Sequence, residues 1–130
     1  MNTSYKNNES KLERIFPLTK NGLHHKKDLN KIIRKYEVSE DFLQTYFDLG
    51  YITDTLAVAR LQRISEEFLL KNKQHFEKID FWWAAIYQEI SAEFAINSSC
   101  PLEYVINKNN KMKASEKEIL ENYLKLSTMF

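Results

Sequence analysis

The segment Leu29–Ile52, LNKIIRKYEVSEDFLQTYFDLGYI, carries the clearest structural pattern in this chain. Three aliphatic residues have the spacing of one helix face: Leu29, Ile32 and Ile33. Ser39 is a favourable N-cap for a second helix, and Gly50 stands where that helix should end. The pattern predicts helices near 27–36 and 39–49, joined by a tight turn as a helix-turn-helix.

The composition predicts a folded, helix-rich domain. The chain has 130 residues, of which 43% are hydrophobic, and this is enough for one core. Only two glycines and two prolines occur, which favours long helices over a turn-rich β fold. We therefore predict an all-α, single-domain bundle of five to six helices without a β wing. We find no internal repeat in the sequence.

The predicted organisation has an N-terminal arm and one helical domain. Residues 1–10 should be a flexible arm, and residues 11–130 the domain. Within the domain, residues 26–52 form the helix-turn-helix and residues 53–130 the helical bundle. Apolar periodicity predicts two long helices, near 54–71 and 80–96, as the central packed pair.

Apolar stripes predict the buried faces of the later helices. The second long helix is predicted to bury an aromatic stripe, and Phe68 and Trp83 are expected core residues. The aromatic stripe of the second long helix consists of Ile79, Trp83, Ile86, Tyr87, Ile90 and Phe94. Ser115 and Glu118 have the spacing of a capping box at the start of the last helix. The apolar face of that helix comprises Ile119, Leu120, Tyr123, Leu124 and Leu126.

Trp82 lies off the aromatic stripe and is either buried under a neighbouring helix or exposed as a partner anchor. Homodimerisation through this aromatic helix is left open.

Residues capable of catalysis or metal binding are few and lack a recognised spacing. His24 and His25 are adjacent and would point in different directions on a helix, and His75 and Cys100 are distant in sequence. A nucleophilic pair of Cys100 and His75 requires a proximity that the sequence does not indicate, and a buried structural cysteine is the simpler interpretation. We predict no catalytic, cofactor or metal site, and therefore a protein that is not an enzyme.

Localisation is predicted from what the sequence lacks. A single cysteine fits a reducing compartment, the first residues have no apolar signal segment, and no apolar run approaches a membrane span. The expectation is a cytoplasmic protein that does not contact a membrane.

The charge is unevenly distributed along the chain. Residues 1–36 hold nine lysines and arginines against three acidic residues, whereas residues 37–104 hold five against twelve. The basic N-terminal third could contact a phosphate backbone. The residues predicted for such contacts are Lys26, Lys27, Lys31, Arg34 and Lys35.

The helix-turn-helix segment resembles the N-terminal part of MerR-type regulators. The matching residues are Val38, Ser39, Leu43, Tyr46, Gly50 and Ile52. It also resembles the chaperone-modulator branch of that superfamily, small helical proteins that bind the J-domain of a co-chaperone. In that branch the second helix opens with a sequence similar to Ser39-Glu40-Asp41. The resemblance covers residues 29–53 and implies either DNA or a protein as the partner.

The departures from the DNA-binding pattern favour a protein partner. The second helix carries acidic side chains and Gln44 instead of arginine, and carboxylates are repelled by phosphates. The predicted partner-binding residues are Glu40, Asp41, Gln44, Asp48, Tyr51 and Trp82. The first hypothesis is therefore a non-catalytic regulator acting by protein–protein contact, of the modulator, inhibitor or transcription-accessory type. The alternative is a DNA-binding transcription regulator that uses the helix-turn-helix and the basic N-terminal third.

Overall fold

The fold consists of α-helices. A computed structural model describes the backbone from Thr3 to Met129 and the side chains from Asn8 to Met129. Within that range no strand forms; one 3₁₀ turn and an isolated bridge between Leu18 and His24 complete the structure. The helices are α1 (Thr3–Ile15), α2 (Lys26–Lys35), α3 (Glu40–Asp48), α4 (Thr55–Leu61), α5 (Glu66–Lys71), α6 (Lys78–Tyr87), α7 (Ala92–Asn97), α8 (Leu102–Lys108) and α9 (Ala114–Thr128), with the 3₁₀ turn at Lys73–His75. The predicted all-α class is confirmed, but the described residues form nine helices instead of five to six.

The chain divides into two compact units where the sequence predicts one domain. Unit 1 comprises Met1–Gln62 and unit 2 comprises Arg63–Phe130. Helix α1 covers most of the segment for which the sequence predicts a flexible arm, except Met1 and Asn2, which lie outside the described residues. None of the helices in the described part of the chain has the length and apolar character needed to cross a membrane.

The two long helices predicted near 54–71 and 80–96 are each replaced by two short ones. The first is interrupted between α4 and α5, and the second between α6 and α7. Neither break contains glycine or proline. Instead, Ser65 and Ser91 have extended backbones and cap the following helices, each accepting a hydrogen bond from a phenylalanine N–H three residues on. A serine cap restarts a helix by satisfying an N–H that the helix itself leaves unpaired.

These caps belong to an internal repeat. The sequences Val38-Ser39, Ile64-Ser65 and Ile90-Ser91 recur at intervals of 26 residues, and Phe42, Phe68 and Phe94 follow each serine at the same distance. Each serine caps a helix in the same way. The conclusion from the sequence that no repeat exists is therefore wrong. The repeat was missed because the shared positions are few and lie at the turns.

A buried amide side chain joins successive turns in unit 1. The Nε2 group of Gln62, at the end of α4, donates to the carbonyls of Ile33 and Tyr36 at 2.7 Å each. Its Oε1 atom accepts from the backbone N–H of Val38 at 3.0 Å. Gln62 thereby pairs main-chain groups at the end of α2, in the turn where they lack helical partners.

Unit 2 contains hydrogen bonds to the equivalent main-chain groups, although the donor Asn109 does not occupy the position that corresponds to Gln62. The Nδ2 group of Asn109, at the end of α8, donates to the carbonyls of Ala85 and Gln88 at 2.8 Å each. The side chain of Gln88 accepts from the N–H of Ile64 at 3.1 Å, as Gln62 does from Val38. The matching main-chain partners show that the repeat is present in the structure as well as in the sequence.

The core of each unit lies where its helices pack together. In unit 1, α2 packs against α4. Its fully buried side chains include Leu12, Leu29, Ile32, Ile33, Val38, Leu43, Phe47 and Val58. In unit 2, α6 packs against α8, and α9 packs against both α7 and α8. Its buried side chains include Phe68, Leu69, Ala84, Ala85, Phe94, Val105 and Leu120.

The end signals predicted for α3 are confirmed, whereas the one predicted for α9 is wrong. Ser39 accepts from the N–H of Phe42, and Gly50 follows α3 with a φ of +73°. Asp54 caps α4 by accepting from Ala57. The predicted capping box of Ser115 is wrong, because the N-cap of α9 is Lys113, two residues earlier.

Candidate interaction surfaces

The acidic residues predicted to bind a protein share one exposed face of α3, here called the acidic face. It consists of Glu40, Asp41, Gln44 and Asp48, which follow helical spacing. Asp41 and Asp48 are exposed, and the other two are half-buried. The amide of Gln44 donates to Asp48 at 2.8 Å, so a neutral donor is held against a carboxylate within the face. This surface can accept hydrogen bonds and attract cations.

Tyr51 lies beyond the end of α3 and is half-buried. Its ring packs on Tyr46, with 5.9 Å between centroids. Tyr46 in turn is buried, and its hydroxyl accepts from the backbone N–H of His24 at 2.8 Å. Burial raises the pKa of the Tyr46 hydroxyl. Tyr51 therefore packs on a buried tyrosine and is itself half-buried.

The five basic residues predicted for phosphate contact lie on α2 and are exposed. Lys27, Lys31, Arg34 and Lys35 follow one another at helical spacing, opposite the buried face of α2. Arg34 also has a structural partner, since its Nε atom lies 2.6 Å from Oδ2 of Asp54. This pair fastens α2 to the N-terminal end of α4. The lysines form the part of the stripe that extends into solvent.

Unit 2 presents a cluster of four rings, here called the aromatic cluster: Trp82, Trp83, Tyr87 and Tyr104. Trp82 meets Trp83 edge-to-face at 5.0 Å and Tyr104 at 6.0 Å. Trp83 stacks on Tyr87 at 5.9 Å. Both tryptophans are half-buried and both tyrosines are exposed. The cluster therefore joins α6 and α8 and leaves part of every ring in contact with water.

This arrangement corrects the predicted core of the aromatic helix. Trp83 is half-buried instead of fully buried, and Ile79 on the same stripe is 48% exposed. The buried face of α6 is formed instead by Asp80 and the small residues Ala84 and Ala85, with Ile86. The stripe of large side chains misled the prediction because two alanines allow α6 to approach its neighbours closely, while the bulky rings lie to the side.

An apolar cleft in unit 2 was not predicted from the sequence. It has a volume of about 350 Å³ and lies among α5, α6 and α7. Leu70, Phe81 and Phe94 line it, and the two phenylalanine rings are 6.0 Å apart. Lys73 and Glu93 also contribute to its walls. The prediction missed it because α5 and α7 were each assigned to a longer helix, which hides the space between them.

Cys100 and His24 are buried, whereas His25 is exposed. No group of three or more potential metal ligands occurs in the part of the chain that the structure describes. Cys100 is buried, and burial raises the pKa of its thiol to about 11, which keeps it protonated at neutral pH. His24 is buried, with its Nδ1 atom unpaired, whereas His25 is exposed. Desolvation lowers the pKa of His24, so its ring is neutral at pH 7.

Comparisons with protein-family models, curated proteins and solved structures find no match to this chain. The resemblance to MerR-type regulators therefore stands on residues 29–53 alone. The surfaces described above are the basis for a functional proposal.

Proposed function

We propose that this protein is a non-catalytic regulator that acts by contact with another protein, and that the aromatic cluster is its main contact surface. The observation that carries the proposal is the partial exposure of all four rings of the cluster. Tryptophan and tyrosine are enriched among the few interface residues that dominate binding energy. The chain has two tryptophans, and both belong to this cluster.

The construction of the cluster supports the same proposal. Its rings contact one another across α6 and α8, so they are held in position before a partner arrives. A surface that is already ordered loses little side-chain entropy on binding. Fixed aromatic anchors therefore suit a binding surface better than flexible ones would.

The repeat architecture adds to this support. Tandem helical repeats characteristically present extended surfaces for macromolecular partners, while their shared residues maintain the fold. Here the shared residues are the serine caps and the buried amides, and the outward residues differ between repeats. The helix-turn-helix of α2 and α3, with its acidic face, would supply a second contact of opposite character in unit 1.

Affinity capture with matched variants tests the proposal. The double variant Trp82→Ala/Tyr104→Ala removes half of the cluster, and Leu61→Ala truncates an exposed leucine in unit 1 as the control. We expect a partner to be retained by the wild type and by Leu61→Ala but lost from the double variant. The purified partner should shift the tryptophan emission of the wild type to shorter wavelength, because binding removes water from both indoles. Equal retention by all three proteins would overturn the assignment of this surface.

DNA binding is the second candidate, and the lysines of α2 favour it. The variant Lys27→Glu/Lys31→Glu/Lys35→Glu reverses the solvent-facing part of the basic stripe without removing Arg34 from its ion pair. If DNA is the partner, the wild type binds random duplex DNA with an affinity that falls steeply with salt, and the variant loses this binding. Absence of salt-sensitive binding in the wild type would exclude this candidate.

A further inference from the structure

Helix α9 carries an apolar face wider than the surface it buries. Leu120 is fully buried, whereas Ile119 is 50% exposed and Leu126 is 58% exposed. Tyr123 and Met129 are also exposed. Three large apolar side chains on α9, and Met129 at its C-cap, are thus left in solvent, and their spacing places them on one face.

The spacing of these residues matches the seam of a helix pair. Ile119, Asn122, Leu126 and Met129 are separated by alternating steps of three and four residues. This is the a/d spacing of a coiled coil, with one polar residue among three apolar ones. Helix α9 has 15 residues, which gives a rod about 22 Å long for such a seam. A single polar residue in a seam commonly selects one register of pairing.

The flanking charges specify the partner and its direction. Glu118 and Lys125 are exposed and lie seven residues apart, on the same side of the seam. If two copies of α9 pair in antiparallel orientation, Glu118 of one copy faces Lys125 of the other. Two-fold symmetry forms this ion pair twice. A parallel pair would place Glu118 opposite Tyr123 and form neither ion pair.

We propose that α9 is a self-association surface, which pairs with α9 of a second copy in antiparallel orientation. Ile119, Leu126 and Met129 form the apolar contact, and the pairs between Glu118 and Lys125 flank it. One helix on each side buries less surface than a standard stable interface, so the dimer is weak and dissociates on dilution. This surface is separate from the aromatic cluster and does not depend on the function proposed for it.

Sedimentation or light scattering over a range of protein concentrations tests self-association. The chain has a mass of 15.5 kDa, and we expect the apparent mass to approach twice that value as concentration rises. Leu126→Glu should remain monomeric throughout, with an unchanged circular dichroism spectrum because this side chain is exposed. Leu61→Glu alters an equally exposed leucine in unit 1 and should dimerise as the wild type does. A wild type that stays monomeric at every concentration would overturn the proposal and leave this face to a different partner.

A charge exchange tests the antiparallel direction. Glu118→Lys places two lysines together at both symmetric positions and should weaken the dimer about tenfold. Adding Lys125→Glu restores opposite charges at both positions and should recover the wild-type dissociation constant. Equal dimerisation by the single and double variants, or failure of the double variant to recover, would contradict the antiparallel arrangement.

Discussion

Units 1 and 2 use the same hydrogen bonds at their turns but present different chemistry to solvent. Gln62 in unit 1 and Asn109 in unit 2 each donate to two carbonyls at the end of an earlier helix. The exposed face of α2 nevertheless carries lysines, whereas that of α6 carries tryptophans. This difference in surface chemistry shows that the turn residues and the outward residues of the repeat have separate roles. The turn residues determine the fold, and the outward residues determine what the surface can bind.

The largest expected contrast is between a ring in the core of unit 1 and a ring in the aromatic cluster of unit 2. Phe47 is almost fully buried, so Phe47→Ala should lower the free energy of unfolding by about 3–5 kcal/mol. Trp83→Ala removes a larger but half-exposed side chain and should lower it by only ~1–2 kcal/mol. Urea denaturation monitored by circular dichroism measures both. Equal losses would mean that Trp83 belongs to the core after all.

The next contrast concerns the buried amide of unit 1. Gln62→Ala removes three hydrogen bonds to main-chain groups and should lower the free energy of unfolding by ~2–3 kcal/mol. Gln74→Ala alters an exposed glutamine and should change it by less than about 0.5 kcal/mol. Chemical denaturation of the two variants provides the comparison. A similar small effect at both positions would show that Gln62 does not maintain the turn.

The serine caps give a smaller effect, with a difference between units. Ser39→Ala should lower the free energy of unfolding by about 1 kcal/mol. Ser91→Ala should lower it by more, because the Ser91 hydroxyl also donates to Glu66 at 2.7 Å. Ser115→Ala is the control, since Ser115 is exposed and is not the cap of α9. Thermal melts rank the three, and a loss at Ser115 as large as that at Ser39 would restore the capping box predicted from the sequence.

The smallest effect is the pH dependence contributed by His24. Burial is the largest influence on the His24 ring and lowers its pKa below 6.5, with a smaller contribution in the same direction from His25. The carboxylates of Glu13 and Asp28 act in the opposite direction and raise the pKa. The unfolded chain therefore takes up the proton first, so the free energy of unfolding falls as pH decreases through 6.5 towards the lower folded-state value.

Titration of stability with pH checks this sign. His24→Gln should flatten the profile between about pH 7 and 5, because the unfavourable protonation is removed. His25→Gln, at an exposed position, should leave the profile as it is in the wild type. A profile that is unaffected by His24→Gln would mean that other groups produce the dependence.

The ends of α3 could be predicted because their signals are local. Ser39 accepts from a residue three positions away, and Gly50 adopts its positive φ within the same turn. The end of α4 could not be predicted in this way. Gln62 bonds to residues 24 to 29 positions earlier, and a glutamine in an apolar periodic segment looks like the solvated face of a continuing helix.

The candidate surfaces were predictable to different extents. The acidic face and the basic stripe each lie on one helix, so helical spacing was sufficient to assemble them. The aromatic cluster includes Tyr104 of α8, which meets Trp82 only through packing of α6 on α8. The predicted buried face of α9 is largely wrong, because Leu120 is buried while Ile119, Tyr123 and Leu126 are exposed. Which of these residues is buried depends on the neighbouring helices that the fold supplies.

The amide bridges have a consequence for how this protein could be redesigned. Gln62 and Asn109 donate to main-chain carbonyls, and every amino acid has one. The identity of the side chain at the acceptor positions is therefore not specified by these bridges. A library that randomises the outward positions of α2 or α6 while keeping the two amides and the serine caps should retain its helices and differ in recognition alone.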